Sequence, residues 1–294
     1  MLNKIIDGKS IAAKLQNEIA KEILQIKKKD NNIPSLAVIL VGDDPASQVY
    51  VGNKERSAHK IGMNSVTYKL SADTSQEELI SKIKELNSND KIHGILVQLP
   101  LPKHIDTNII IHSIDPKKDV DGFHVVNVGK LSIGQIAGKD KALIPCTPQG
   151  CVHLIKSALG KDLKGLDAIV IGTSNIVGRP LARLLMLEKC TVTIANSRTR
   201  NLQAKCLKSD IIISATGVSN IITADMVNEN ATIIDVGINR INTPNGKSKL
   251  VGDVDFDAVI KKAKFITPVP GGVGPMTITY LLRNTLEAYK NLTN

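Results

Sequence analysis

Residues 164–199 read KGLDAIVIGTSNIVGRPLARLLMLEKCTVTIANSRT. An apolar strand, Asp167–Ile171, runs into a glycine-containing turn. A helix from about Val177 to Glu188 follows, and then a strand, Thr191–Ala195. Glycines at such a turn allow a tight bend and the close approach of a pyrophosphate, while the helix start offers unpaired N–H groups. The turn GTSNIVG, Gly172–Gly178, is not a full G-x-G-x-x-G, because Ser174 stands where the second glycine would be. A purely structural strand-to-helix turn would look much the same. The end of the next strand adds a second clue. Folds that prefer NAD often place a carboxylate there to hold the ribose hydroxyls. Here the residues are Asn196, Ser197, Arg198 and Thr199. Hydroxyls and an arginine suit a 2′-phosphate and tilt the expected cofactor toward NADP. Arg198 could equally be a solvated surface residue.

The alternation continues on both sides. Downstream, DIIISAT and ATIIDVG read as strands ending in small or turn residues, where ligands sit in parallel α/β sheets. The loop PVPGGVGPMT then leads into a long final helix. Upstream, Ile11, Leu15, Ile19 and Ile23 form an i,i+4 stripe on a helix from about Ser10 to Lys28. SLAVILVG is a buried strand, followed by a helix from about Pro45 and a second strand, NSVTYKL. Ser75 and Glu78 have capping-box spacing at the head of the next helix. KIHGILVQLPLP gives a third strand, stopped by Pro100 and Pro102. Repeated strand–helix units make parallel sheets the simplest fold, in two α/β domains. Residues 115–134 show no clean period and read as a long connection of the kind that lines sites. TPQGCVHLIKSAL resumes as a helix.

Composition narrows the classes. Aromatic residues make up only 2% of the 294 positions and tryptophan is absent, so the core must be aliphatic. The formal charge of +10 could suit nucleic acid, but the lysines are dispersed and no aromatic platform accompanies them. No nucleic-acid partner is expected. A basic surface can instead steer an anionic small molecule. Cys146, Cys151, Cys190 and Cys206 form no Cys-x-x-Cys pair and no histidine cluster joins them, so no metal site is expected. No apolar signal segment or run of about 20 apolar residues occurs, and a cytoplasmic protein with no membrane partner is expected.

ASQVYVGNKERSAHKIG places Tyr50 and Lys54 on one helical face. Alone, such a pair is ordinarily a packed ring and a solvated amine. Tyr-x-x-x-Lys also occurs in short-chain reductases, but there the pair follows the nucleotide turn, whereas here it precedes it by about 120 residues. Gln98 ends a buried strand, and Asp121 lies beside Gly122 in the long connection. Each is uninformative by itself.

The segments YVGNK, GILVQLPLP, PKKDVDGFHVVNVGKL, PCTPQG, GTSNIVGRP, DVGINR, GDVDF and PVPGGVGPMT run in order along nearly the whole chain. Together they resemble the bifunctional methylenetetrahydrofolate dehydrogenase/methenyltetrahydrofolate cyclohydrolase family. The resemblance implies a homodimer whose subunits have two α/β domains flanking a cleft. Residues 1–145 with the returning helix 273–294 would form the folate-binding catalytic domain, and 146–272 a Rossmann-like NADP-binding domain. Lys54 would be the central catalytic residue, with Tyr50 beside it, Gln98 setting its protonation and Asp121 holding the pterin. Gly172, Thr173 and Ser174 would bind NADP, with Ser197, Arg198 and Ile238 in further contact. Pro270, Gly271 and Gly272 would shape the folate and nicotinamide region. The substrates implied are tetrahydrofolate derivatives, with polyglutamylated forms compatible with the basic surface. The products implied serve one-carbon metabolism, including purine, methionine and histidine biosynthesis.

Three positions depart from the family pattern. Thr173 stands where arginine is common, which could relax the preference for NADP and admit NAD. Asn196 replaces a common histidine, and Val125 a frequent proline.

Overall fold

The computed structural model describes residues 4–29, 32–138, 140–242 and 248–293. In chain order the elements are α1 (Gly8–Lys29), β1 (Ser35–Val41), α2 (Pro45–Lys60), β2 (Asn64–Leu70), α3 (Gln76–Asn87), β3 (Gly94–Val97), α4 (Thr107–Ser113) and α5 (Val125–Ser132). There follow α6 (Cys146–Leu159), β4 (Asp167–Ile171), α7 (Gly178–Leu187), β5 (Thr191–Ala195), α8 (Leu202–Leu207), β6 (Ile211–Ser214), β7 (Thr232–Asp235), β8 (Asn239–Asn242), β9 (Ser248–Val251), α9 (Phe256–Lys262), β10 (Phe265–Ile266) and α10 (Val273–Thr293). No described helix is long and apolar enough to cross a membrane.

The chain divides into two compact units, both discontinuous. One comprises residues 14–146 with 278–294, the other residues 1–13 with 147–277. The first thirteen residues thus group with the second unit rather than with the first domain outlined from sequence. The reason is local pairing. Ile6 N donates to Ile266 O at 2.8 Å, Lys9 N donates to Gly271 O at 3.1 Å, and Ile5 bridges Ile266.

In the unit built on residues 14–146, β1 is the centre of a parallel sheet of order β2-β1-β3. Every residue of β1 is buried, so this strand is apolar throughout rather than alternating. Leu36, Val38 and Leu40 pack with Ile19 and Ile23 of α1, Val51 and Ala58 of α2, and Leu281, Leu282 and Leu286 of α10. Ala37, Ile39 and Val41 pack on the other face with Leu79, Ile83 and Leu86 of α3 and Ile110 of α4. The capping box of α3 forms as its sequence spacing suggests: the Ser75 side chain accepts from Glu78 N, and Glu78 Oε2 accepts from Ser75 N at 2.8 Å.

The connection after β3 is more ordered than its pattern implied. It contains α5, capped by the His124 side chain, which accepts from Val126 N at 3.1 Å. Two turns are too short for a clear period, and the buried face includes a polar residue, Asn127. Val125 occupies the first helical position of α5, where proline is well tolerated because its missing N–H is not needed. The short helix α4 and the antiparallel hairpin β8–β9 also lie outside the sequence reading.

The second unit carries a five-stranded parallel sheet of order β10-β7-β6-β4-β5. β4 comes first in the chain, with β5 on one side and β6 on the other, so the winding reverses between β4 and β6. Ligands in open parallel sheets bind beyond the carboxyl ends of the strands at such a reversal.

Candidate active site

Helix α2 presents Tyr50 and Lys54 one turn apart. Its start is fixed by Asp44, whose carboxylate accepts from Ser47 N at 2.7 Å, and by Pro45 in the first turn. Lys54 Nζ donates to Gln98 Oε1 at 2.9 Å. Gln98 directly follows β3. Its backbone N donates to Ile39 O at 2.8 Å, and its Nε2 donates to Leu99 O at 2.6 Å. This second bond turns the amide oxygen toward Lys54. The peptide Leu99–Pro100 is cis.

Asp121 belongs to the same group. Burial lowers the Lys54 pKa, and the Asp121 carboxylate opposes that shift. Burial raises Asp121 to about 6; Lys54 pulls it down, and the neighbouring Asp119 pushes it up. Cys146 lies within reach of both charges, and burial drives its thiol pKa up. Tyr50 stays outside this hydrogen-bonded group, with 39% of its surface exposed. An exposed ring one turn from Lys54 is available to a ligand.

The segment holding Asp121 is fixed by groups that the sequence did not single out. Asp119 is buried, and its Oδ2 accepts from His124 N at 2.8 Å and from Asn127 Nδ2 at 2.9 Å. Asn284 of α10 donates from Nδ2 to Val120 O and to Ile144 O, both at 2.8 Å. These ties staple the residue before Asp121 to the segment before Cys146.

The nucleotide turn lies in the other unit. Gly172 has φ +120°, and a Cβ there would stand 2.3 Å from Ala215 O. A Cβ on Gly178 would meet Gly172 O at 1.9 Å. The turn therefore demands glycine at both positions, and its backbone abuts the loop after β6. Ser174 Oγ accepts from Val177 N at 3.2 Å and Gly178 N at 3.4 Å. Beyond β5, Asn196 Oδ1 accepts from Arg198 N at 2.8 Å, and Asn196 N donates to Thr199 Oγ1 at 2.9 Å. This tight turn leaves Ser197 and Arg198 exposed. Ile238, after β7, is 52% exposed. The loop with Pro270, Gly271 and Gly272 joins β10 to α10, and the Val269–Pro270 peptide is cis. A glycine cradle beside a helix start, with exposed hydroxyls and a guanidinium after the second strand, fits a dinucleotide carrying an extra phosphate.

Comparison with known proteins finds family models over both units. Residues 6–121 match the model of the tetrahydrofolate dehydrogenase/cyclohydrolase catalytic domain. Residues 145–293 match that of the NAD(P)-binding domain of the same enzymes. The chain belongs to the tetrahydrofolate dehydrogenase/cyclohydrolase family.

Among relatives of this family, the bifunctional protein FolD of Zymomonas mobilis is 52% identical, over 99% of this chain and 98% of that protein. The crystal structure of the FolD methylenetetrahydrofolate dehydrogenase/cyclohydrolase of Campylobacter jejuni has a TM-score of 0.91 at 46% identity, covering 98% of each chain. That of Trypanosoma brucei FolD, complexed with NADP cofactor and inhibitor, has a TM-score of 0.91 at 36% identity, covering 97% of each. The tetrahydrofolate dehydrogenase/cyclohydrolase fold therefore extends across both units.

Proposed function

We propose that the chain oxidises 5,10-methylenetetrahydrofolate to the 5,10-methenyl cation with NADP+ and then hydrolyses the cation to 10-formyltetrahydrofolate. The observation that carries this reading is the bond between Lys54 and an uncharged amide, Gln98, in surroundings that favour the neutral amine.

Nicotinamide, when bound, supplies the hydride acceptor. In the first step the C–H bond of the one-carbon bridge breaks, and its electron pair leaves as hydride while the folate nitrogens take up the positive charge. The protein's task is to hold the donor carbon in line. Asp121 suits the pterin end, because one carboxylate can accept from an amino group and an adjacent ring N–H together. Tyr50 offers a ring for stacking and a hydroxyl for donation.

In the second step a water oxygen bonds to the bridging carbon and loses a proton. The tetrahedral adduct collapses as its C–N5 bond breaks: N5 takes a proton, and the hydroxyl gives its own proton to solvent as it becomes the formyl carbonyl. A neutral Lys54 can accept the first proton and return it. The lowered pKa also lessens the charge that would repel the cationic substrate. Gln98 orients the amine without fixing its charge, as a carboxylate would.

Gly172, Thr173 and Ser174 hold the pyrophosphate side of the cofactor. Ser197 and Arg198 meet the 2′-phosphate, and Ile238 and the Pro270–Gly272 loop flank the nicotinamide end. Thr173 brings no charge to the phosphate, so NAD is also accepted. The enzyme works as a cytoplasmic homodimer on polyglutamylated folates and supplies one-carbon units to purine, methionine and histidine biosynthesis.

The test is spectroscopic. Protein is supplied with methylenetetrahydrofolate and NADP+, and reduced cofactor and methenyl absorbance are followed. Methenyltetrahydrofolate is then given alone. Lys54→Met should abolish hydrolysis while folate still binds. Hydrolysis that survives this substitution would remove Lys54 from its role.

A further inference from the structure

The carboxyl ends of β4 and β6, where the winding reverses, carry two rims. One is the turn Gly172–Ser174. The other is the loop after β6, Ala215–Val218, against which Gly172 is pressed. The second rim is organised by a residue distant in sequence. Asp253 follows β9 and has 0% exposure. Its Oδ2 accepts from Ser214 Oγ at 3.0 Å, Thr216 N at 2.7 Å, Thr216 Oγ1 at 2.9 Å and Gly217 N at 3.2 Å. Its Oδ1 accepts from Asn239 Nδ2 at 3.0 Å and so reaches the residue after Ile238. A Cβ on Gly237 would stand 2.0 Å from that same oxygen. The backbone of the loop after β7 therefore lies directly on the carboxylate.

Asp253 is itself held from behind. Asp235 Oδ1 accepts from Asp253 N at 2.9 Å and Gly237 N at 3.0 Å, and its Oδ2 accepts from Val254 N at 3.0 Å. Among the described residues no lysine or arginine forms an ion pair with Asp253. Burying a carboxylate without a cation is expensive, and an apolar side chain could fill the same volume at less cost. What an apolar side chain could not do is draw five donors, from the end of β6, the loop after it and the start of β8, onto one carboxylate.

We infer that Asp253 is a positioning residue for the nicotinamide cofactor, setting the loops after β6 and β7 in the shape the cofactor meets. This rests on the NADP-binding reading of the unit. Asp253 acts through Thr216, Gly217 and Asn239 and touches no reacting atom.

Asp253→Asn keeps the side-chain shape but gives up one acceptor oxygen and the charge. NADPH binding is measured by the fluorescence of NADPH itself, free of tryptophan background because the chain has none. The dissociation constant should rise about tenfold or more, with an equal loss of kcat/KM for NADP+. Hydrolysis of methenyltetrahydrofolate, which needs no nicotinamide, should be unchanged. Thr216→Val, a milder change, should move NADPH binding in the same direction and carries the test should Asp253→Asn not fold. Unchanged NADPH affinity in the folded variant would overturn the inference. So would hydrolysis falling in step with oxidation, since that marks general loosening of the protein. A wild-type protein that binds NADPH but leaves methylenetetrahydrofolate unoxidised would instead overturn the proposed function, and the affinities would still decide the role of Asp253.

Discussion

Lys54 Nζ and Gln98 Oε1 lie 2.9 Å apart, and the partner of this partly buried amine is an amide rather than a carboxylate. Replacing Gln98 by Glu reverses that choice at almost constant shape. An anion in contact should raise the lysine pKa by about 1–3 units. Hydrolysis should fall at pH 7 and recover as pH rises. The check is the rate profile from pH 6 to 10, in which the ascending limb of Gln98→Glu should sit at least one unit above that of the wild type.

Asp121 gives a second pH signature. Its carboxyl is raised from 3.8 to about 6 by burial, with Asp119 adding to the rise. A carboxyl whose folded pKa exceeds its unfolded one favours the fold fully below the unfolded value. That contribution is lost as pH climbs from about 4 through about 6. The rise is equivalent to roughly 3 kcal/mol, which partial solvent exposure reduces to about 1–2 kcal/mol. Asp121→Asn should remove this loss, so its stability relative to wild type should improve between pH 4 and 7 in denaturant titrations. Activity moves the opposite way. The wild-type KM for methylenetetrahydrofolate should climb below pH 6, where the carboxyl holds a proton and accepts one fewer hydrogen bond, and Asp121→Asn should show a high KM throughout.

Gly172→Ala places a methyl 2.3 Å from Ala215 O at a φ of +120°. Backbone strain and overlap together should cost about 2–4 kcal/mol of stability. NADPH binding should weaken as the two rims part. Thermal unfolding with and without NADPH reads both effects.

Cofactor choice can be probed at Thr173. Thr173→Arg adds a cation where the chain has a neutral hydroxyl. The ratio of kcat/KM for NADP+ to that for NAD+ should rise about tenfold, as expected for a charge-assisted contact worth about 1.5 kcal/mol. Raised salt should narrow the gap.

On α10, Arg283 and Lys290 both reach Glu22 of α1 at 2.6 Å, each partly exposed. Glu22→Gln should cost no more than about 1 kcal/mol, and less at high salt. Its folate kinetics should match the wild type.

The parallel sheets and the nucleotide turn were legible in sequence because their signals are local: apolar runs of strand length, a helical stripe, and glycines between a strand and a helix. Tyr50, Lys54, Gln98 and Asp121 stood out through the segments around them, and three of the four share one electrostatic group. The supporting residues were hidden for a physical reason. Asp119, Asn127, Asp253 and Asn284 are polar and would pass for surface residues, yet each is buried. Their partners lie as far as 164 positions away, as for Asn284 and Val120. No local period records such a bond. The same holds for Ile6 and Ile266, whose pairing moves the chain start into the second unit.

That interleaving bears on the chain's birth at the ribosome. Residues 14–146 are made before the bulk of the other unit, yet Leu281, Leu282 and Leu286 of α10 complete their apolar core. Domains that are continuous in sequence can mature one after another during synthesis. Here the unit built on residues 14–146 must wait, its core unsealed, until the intervening unit has been made and α10 emerges.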